Sequence, residues 1–243
     1  MRIKLTGGKW LLVGATTLIF IGCFFGRAID SSYYQLDYVP TPKEMLNETV
    51  YPYTVRVRDF DVAEAYRRNN IVYRQSPYKL HFYNYDLWAV KPEFLVSDML
   101  FRHLETARVF SEVRRSIDVD EPDFVIHGTV RAIEEYDNQD EWYAHLAMNM
   151  NLQEYKTKKI LWSREWAYRK KVSNFEPIYV VRGLSELLER INNEAIADMD
   201  SVMNSITNLK TGVSPTMPPP APARTPEPEP VEMEILPPPG EIE

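Results

Sequence analysis

The sequence predicts a single α+β domain whose mixed or antiparallel sheet carries two main amphipathic helices on one face. Stretches in which apolar and polar residues alternate predict the strands. Two stretches with apolar residues at three- and four-residue steps predict the helices. A basic apolar leader and an acidic proline-rich tail flank a middle of about 190 residues, which is long enough for one sizeable core and short for two.

The first strands follow from alternation and from aromatic content. In the stretch 53–60, Val55 and Val57 alternate with arginines, which is typical of a half-buried strand. The stretch 71–89 is rich in Tyr, Val and Phe on both sides of the turn-prone Gln75-Ser76-Pro77. This pattern predicts two strands joined by a turn.

The first helix is predicted to begin at Pro92, because proline suits the first helical position and an apolar stripe follows it. A short strand is predicted next, at 110–116. The stripe consists of Val96, Leu100, Leu104 and Ala107, with Phe101 alongside.

An antiparallel meander is predicted in the second half of the chain. The stretches 123–136, 141–155 and 160–172 alternate, and turn-prone residues separate them. The stretch 184–206 steps in threes and fours, as a long amphipathic helix that we expect to close the core. The expected apolar faces are Phe124, Ile126, Val130 and Ala132 in the first strand and Trp142, Ala144, Leu146, Met148, Met150 and Leu152 in the second.

Residues 1–22 have the parts of an export signal. Three positive charges precede an apolar stretch, and the small Gly22 stands before Cys23, the one cysteine of the chain. The residues F-I-G-C resemble a bacterial lipobox, which implies cleavage after Gly22 and acyl chains, palmitate among them, on Cys23. The alternative is an uncleaved transmembrane anchor, because 10–26 is a run of about 17 uncharged residues. Both interpretations place the rest of the chain outside the cytoplasm.

The segments that flank the domain are predicted to lack a packed core. After the lipidated cysteine, residues 23–52 form a proline-punctuated connector that lets the α+β domain, at 53–210, stand off from the membrane surface. Residues 211–243 are rich in proline and glutamate and are predicted to be disordered and extended. As an alternative, the apolar cluster V-E-M-E-I-L in this tail is a docking peptide.

The sequence contains no arrangement typical of an enzyme or a metal site. Its four histidines form no HxH or HxxxH pair, so no metal is expected, and His127 and His145 are predicted to face solvent. No nucleophile motif or phosphate-binding glycine loop occurs. The acidic pair Glu134-Glu135 is predicted to lie solvated at a strand end. The net charge of −7 argues against nucleic acid as a partner.

The stretch 73–88 is densely aromatic, and this is the positive signal for binding. Because strand neighbours point to opposite faces, these side chains cannot all lie in the core. Exposed aromatics on a sheet are typical of a surface that binds a protein partner. The alternative is that the connector or a helix covers them. The predicted contact residues are Tyr73, Tyr78, Tyr83, Tyr85 and Trp88.

Taken in order, several stretches resemble the ABC-type transport auxiliary lipoproteins, with the paraquat-inducible protein C type as the nearest relative. They are Y-Y-Q-L-D-Y at 33–38, I-V-Y-R-Q-S-P-Y at 71–78, an aromatic strand ending in W-A at 88–89, the proline-led helix, and D-F-V-I-H-G at 123–128. The resemblance covers residues 33–208, nearly all of the predicted fold.

The resemblance implies a non-enzymatic lipoprotein on the periplasmic side of a Gram-negative cell envelope. It further implies an ABC permease, an ATPase and a substrate-binding protein of the MCE (mammalian cell entry) type as partners, in systems linked to lipid movement between membranes. Relatives tend to form homo-oligomers and need no cofactor beyond the covalent lipid. Phe24 follows the cysteine in place of the aspartate associated with inner-membrane retention, which favours the outer membrane.

Two other functions are consistent with the sequence alone. A structural, assembly or activator lipoprotein would use the proline-rich tail to reach its partner, and this hypothesis predicts loss of function when 214–243 are deleted. An envelope hydrolase would need a nucleophile with its base, and the sequence shows no such arrangement.

Overall fold

The computed structural model describes residues 30–40, 50–115, 120–138 and 141–211, without the side chains of 209–211. The predicted signal peptide, Cys23 and the tail beyond Thr211 lie outside these residues. The chain divides into two units after Asp200. The sheet and the helices up to that residue form the α+β unit, and the second unit begins at Ser201 in the final helix. The predicted fold class is confirmed.

The described residues form nine strands, two long helices and one short 3-10 turn. The helices are α1 (Pro92–Ala107) and α2 (Pro177–Thr211), and the turn occupies Glu64–Tyr66. The strands are β1 (Ser32–Tyr34), β2 (Tyr51–Val57), β3 (Asp61–Val62), β4 (Asn70–Ser76), β5 (Lys79–Trp88), β6 (Phe110–Arg114), β7 (Phe124–Asp137), β8 (Trp142–Glu154) and β9 (Ile160–Lys171).

The long strand β7 lies at the centre of a curled mixed sheet. Along one edge it pairs antiparallel with β8, which pairs antiparallel with β9, so the predicted meander is confirmed. Its other edge is shared by β2, β3 and β4, all parallel to it. β5 and β1 extend the sheet beyond β4, and β6 extends it beyond β2.

Both helices pack on the same face of the sheet, as predicted. The hydroxyl of Tyr38 lies 3.0 Å from His103 Nδ1 of α1 and accepts a hydrogen bond of 2.7 Å from Asn192 of α2. Gly183 of α2 lies so close to β8 that a Cβ there would be 2.7 Å from the Cβ of Ala144. A side chain at this position would therefore push the helix away from the sheet.

The described part of the predicted connector belongs to the fold. Ser32–Tyr34 pair in parallel with β5, and Leu36 is buried. The backbone N–H of Asp37 donates to Ser185 Oγ of α2 at 3.1 Å. The prediction of a connector without strand structure is wrong here, because strand pairing and a buried leucine tie 32–38 to the sheet and to α2.

A β-bulge in β7 reverses the alternation of its side chains. Val130 pairs with Met148, on the helix-facing side of β8, whereas Ala132 pairs with Ala147. Cross-strand partners share a face of the sheet, and the extra residue at Arg131 shifts the alternation by one. The prediction that Ala132 continues the apolar face of Val130 is therefore wrong.

Candidate docking surface and buried carboxylates

The β4–β5 hairpin carries the predicted aromatic contact residues. Its turn places Tyr78 at the tip, with 95% of the residue exposed, and Tyr85 farther along β5 is 44% exposed. Arg74 Nη1 donates to the carbonyl of Pro77 at 3.0 Å and so holds the turn against β4. The hairpin therefore presents two tyrosines to solvent on an anchored strand pair.

Stacked rings support these exposed tyrosines from below. The ring of Tyr73 lies 4.8 Å from that of His81, at an interplanar angle of 12°, and 4.8 Å from that of Tyr83. All three side chains are half-buried. Aromatic pairs at this spacing stabilise the hairpin beyond the area that they bury.

Trp88 does not belong to this surface. It is 1% exposed at the end of β5, and its backbone N–H donates to the carbonyl of Asn69. Its assignment as a contact residue is corrected, because a core side chain is not available to a partner. Tyr73, Tyr78, Tyr83 and Tyr85, hereafter the aromatic surface, keep partner binding as a prediction.

Glu134 and Glu135 lie inside β7, not solvated at its end, and are 1% and 0% exposed. The sequence prediction was wrong here because other parts of the chain cover both residues. Below the bulge, Glu135 pairs with Ala144 and so shares the helix-facing side of the sheet, while Glu134 pairs with His145 on the opposite side.

Glu134 is surrounded by hydrogen-bond donors. Its Oε2 accepts from the hydroxyl of Tyr66 at 2.5 Å, and its Oε1 accepts from Arg74 Nε at 2.9 Å and lies 3.0 Å from His145 Nδ1. Arg74 Nη2 donates in turn to the Tyr66 hydroxyl at 3.0 Å. His145, predicted to face solvent, instead packs on this carboxylate.

This network sets the protonation of its members. Burial alone would raise the pKa of Glu134, but the hydrogen bonds from His145, Tyr66 and Arg74 outweigh it and hold the pKa below its usual value. Burial, together with the neighbouring carboxylate, raises the pKa of Tyr66 to about 12. Glu134 is therefore a charged, fully engaged group that ties β7, β4 and the 3-10 turn together.

Glu135 has the opposite environment. Its Oε2 accepts one hydrogen bond, from the hydroxyl of Tyr83 at 2.9 Å, and its Oε1 is buried with no hydrogen-bond partner in the described structure. Burial, with the nearby charges of Asp137 and Asp86, raises the pKa of Glu135 to about 7. The same carboxyl connects the aromatic surface to the centre of the sheet through Tyr83.

The remaining histidines do not come together as a metal centre. His103 is buried beside Tyr38, and burial lowers its pKa to about 4. His127 is half-buried, and burial together with the charge of Arg58 lowers its pKa. Among the residues that the structure describes, no three His, Cys, Asp or Glu side chains are grouped as metal ligands would be.

A pocket that the sequence did not indicate lies where β2 and β6 end. It measures about 210 Å³ and is lined by Arg56, Arg58, Asp59 and Arg115. The sequence pattern identified Arg56 and Arg58 as the polar side of a strand, and nothing in it placed Arg115 beside them. Their meeting depends on the parallel pairing of β2 with β6, which joins segments more than fifty residues apart.

None of the helices in the described ranges is both long and apolar enough to cross a membrane. Fold and site thus define an α+β domain with an exposed aromatic surface and an internal network of ionised and neutral carboxyls.

Residues 34–197 match the family model of the ABC-type transport auxiliary lipoprotein component, and the chain belongs to this family. It is accordingly an auxiliary component of ABC-type transport and a lipoprotein of the cell envelope. No curated protein is significantly similar in sequence.

Solved structures share the fold. Protein XCC0632 of Xanthomonas campestris, a DUF330 protein, is 18% identical with a TM-score of 0.65, over 73% of this chain and 99% of that one. An uncharacterized protein is 14% identical with a TM-score of 0.56, over 70% and 99%. The PelC dodecamer of Paraburkholderia phytofirmans is 11% identical with a TM-score of 0.36, over 57% and 85%, and carries no inference about assembly.

Proposed function

We propose that this protein is a docking component of an MCE-type ABC transport system for lipids or other hydrophobic molecules. In this proposal it is anchored by lipid on Cys23, faces the periplasm at the outer membrane, and acts by binding without catalysis. The family match across 34–197 carries the proposal, because it spans β4, β5 and most of both flanking helical regions. An MCE-type substrate-binding protein and the ABC permease with its ATPase are the proposed partners.

The aromatic surface supports docking at the β4–β5 hairpin. Tyrosine provides a large amphipathic contact area at low conformational cost, and such residues are enriched at the centres of protein interfaces. Tyr78 and Tyr85 are exposed while Tyr73 and Tyr83 hold the strands beneath them. The hairpin is therefore pre-organised, which reduces the entropy lost on binding.

The chemistry of the buried carboxyls favours binding over catalysis. A general acid or base must reach a substrate in a cleft. The Glu134 carboxylate is instead occupied by Tyr66, Arg74 and His145. Glu135 is buried beneath Tyr83, so neither carboxyl is offered to a substrate.

Co-purification from a detergent extract tests this proposal. The full-length chain should bring down an MCE-type protein, and the double variant Tyr78→Ala, Tyr85→Ala should bring down much less. Ile160→Ala removes an exposed apolar side chain from β9, four strands away, and should behave as wild type. A chain that captures no envelope transport protein would contradict the function, whereas equal capture by the double variant would contradict only the surface.

A further inference from the structure

The arginine pocket lies at an edge where parallel strands end together. In the β2–β6 pair Arg56 stands opposite Arg114, and the next residues of the two segments are Val57-Arg58 and Arg115. The carboxyl ends of parallel strands meet at one edge of a sheet, which is a common place for ligands to bind. Three guanidinium groups from two distant segments thus line one space of about 210 Å³.

Two nitrogen atoms in this pocket have no hydrogen-bond partner. Arg56 Nε and Arg115 Nη1 are shielded from solvent, and no described residue accepts a hydrogen bond from either. Buried donors are nearly always satisfied in native proteins, because leaving one unpaired costs free energy. Both atoms belong to side chains that line the pocket, so one acceptor group placed there would satisfy both.

The arginines are held in place on their other sides. Arg115 Nη2 contacts Asp59 Oδ1 at 2.7 Å and Asp98 Oδ1 at 3.0 Å. The guanidinium of Arg56 lies 5.5 Å from the ring centroid of Tyr155, within cation–π range. Each side chain therefore has a fixed contact that leaves a different part of the guanidinium directed elsewhere.

The loop that carries Arg58 is fixed at both ends. The backbone N–H of Arg58 donates to the carbonyl of Ile126 at 3.0 Å, and that of Phe60 donates to Ser97 Oγ at 3.0 Å. Asp59 between them is the one carboxylate lining the pocket among described residues, and it is engaged with Arg115. The pocket is thus positive within a chain of net charge −7.

We propose that this pocket binds a phosphate group. Guanidinium groups recognise phosphate through paired charge-assisted hydrogen bonds, which the free N–H groups of Arg56 and Arg115 can supply. A volume of about 210 Å³ lies below the range of pockets for drug-sized ligands, so it suits a small anion or a headgroup. The phosphate is either a free inorganic ion or the phosphodiester of a lipid. The lipid source rests on the function proposed above, and the free ion does not.

Calorimetric titration of the full-length protein with inorganic phosphate tests the site, in a maltoside detergent free of phosphate. Arg56→Gln and Arg58→Gln should each weaken binding by about tenfold, because each removes a charge-assisted hydrogen bond. Arg102→Gln removes the same charge from an exposed position on α1 and should bind as wild type. Circular dichroism and thermal unfolding establish that each variant is folded.

A second titration separates the two sources. Short-chain phosphatidylglycerol that binds more tightly than inorganic phosphate, with the same dependence on Arg56, identifies a lipid headgroup. Equal or weaker binding of the lipid identifies the free ion. The site is overturned if neither probe binds, or if Arg56→Gln and Arg102→Gln bind alike. A folded Arg56→Gln chain that loses phosphate but still captures the MCE-type partner separates this site from the docking function.

Discussion

Glu134 and Glu135 are adjacent in β7, and their carboxyl groups lie on opposite faces of the sheet in opposite protonation environments. Three donors hold the pKa of Glu134 below its usual value, whereas burial beside Asp137 and Asp86 raises the pKa of Glu135 to about 7. The two residues therefore make distinct contributions to stability, which substitution separates.

Glu134→Gln should destabilise the domain by about 3 kcal/mol, because it leaves Arg74 without its buried counter-charge. Urea-induced unfolding measures the difference. The matched control is Glu165→Gln, since Glu165 pairs with Arg131 where both side chains are more than half exposed. That pair should contribute less than about 1 kcal/mol. Equal losses for the two variants would contradict a structural role for the Glu134 network.

Glu135→Gln should change how stability depends on pH. Between the ordinary value of 4.5 and about 7, the folded state keeps a proton on Glu135 that the unfolded chain has released. The unfolded state then binds fewer protons, so the free energy of unfolding falls as pH rises through this window. The full loss is about 3 kcal/mol, and the amide, which does not ionise, is spared it. Denaturant midpoints between about pH 5 and about pH 8 measure the effect, and parallel profiles for wild type and variant would contradict it.

Gly128→Ala should destabilise the sheet more than Gly183→Ala. A Cβ at Gly128 would lie 2.1 Å from the backbone oxygen of Asn149 and 2.5 Å from the ring of Phe60, whereas one at Gly183 meets a single methyl group at 2.7 Å. Backbone within a sheet cannot move aside cheaply, so we expect a loss of about 2–3 kcal/mol or more at Gly128. Chemical denaturation of both variants decides, and the reverse order would contradict the close approach of Phe60.

Cys23→Ser should leave an unprocessed precursor, larger by about the 22 residues of the leader. Without acyl chains, a processed form would also leave the membrane fraction, because stable anchoring needs the buried methylenes of more than one chain. Immunoblots of fractionated cells measure both. A variant that matures and fractionates as wild type would favour the uncleaved anchor.

Deletion of residues 214–243 should have little effect on partner capture. This acidic, proline-rich segment lies beyond the family match, which ends at residue 197. Co-purification by the truncated chain measures the effect. Loss of capture and of envelope function together would favour the alternative of an assembly or activator lipoprotein that reaches its partner through the tail.

Local periodicity was sufficient to predict much of the fold. The apolar stripe behind Pro92 and the meander of β7, β8 and β9 follow from neighbours in the sequence, and both are confirmed. The β-bulge at Arg131 was not predictable, because the alternation of residue types continues through it while the backbone does not.

Features built from distant segments were beyond the sequence pattern. Glu134 is buried because Tyr66 and Arg74 reach it from more than fifty residues away. Arg56 and Arg115 meet only because β2 and β6 pair in parallel. The aromatic surface was predicted from strand composition, and the exposure of Tyr78 fits that prediction, while the burial of Trp88 depends on packing at the end of β5.

The strand pairing of Ser32–Tyr34 limits how far the domain can move from its membrane. If Cys23 carries the lipid, nine residues connect it to the first residue fixed in the sheet. A fully extended chain of that length reaches about 30 Å. The protein is then held on a short leash, and any partner that it engages must come to within a few nanometres of the bilayer surface.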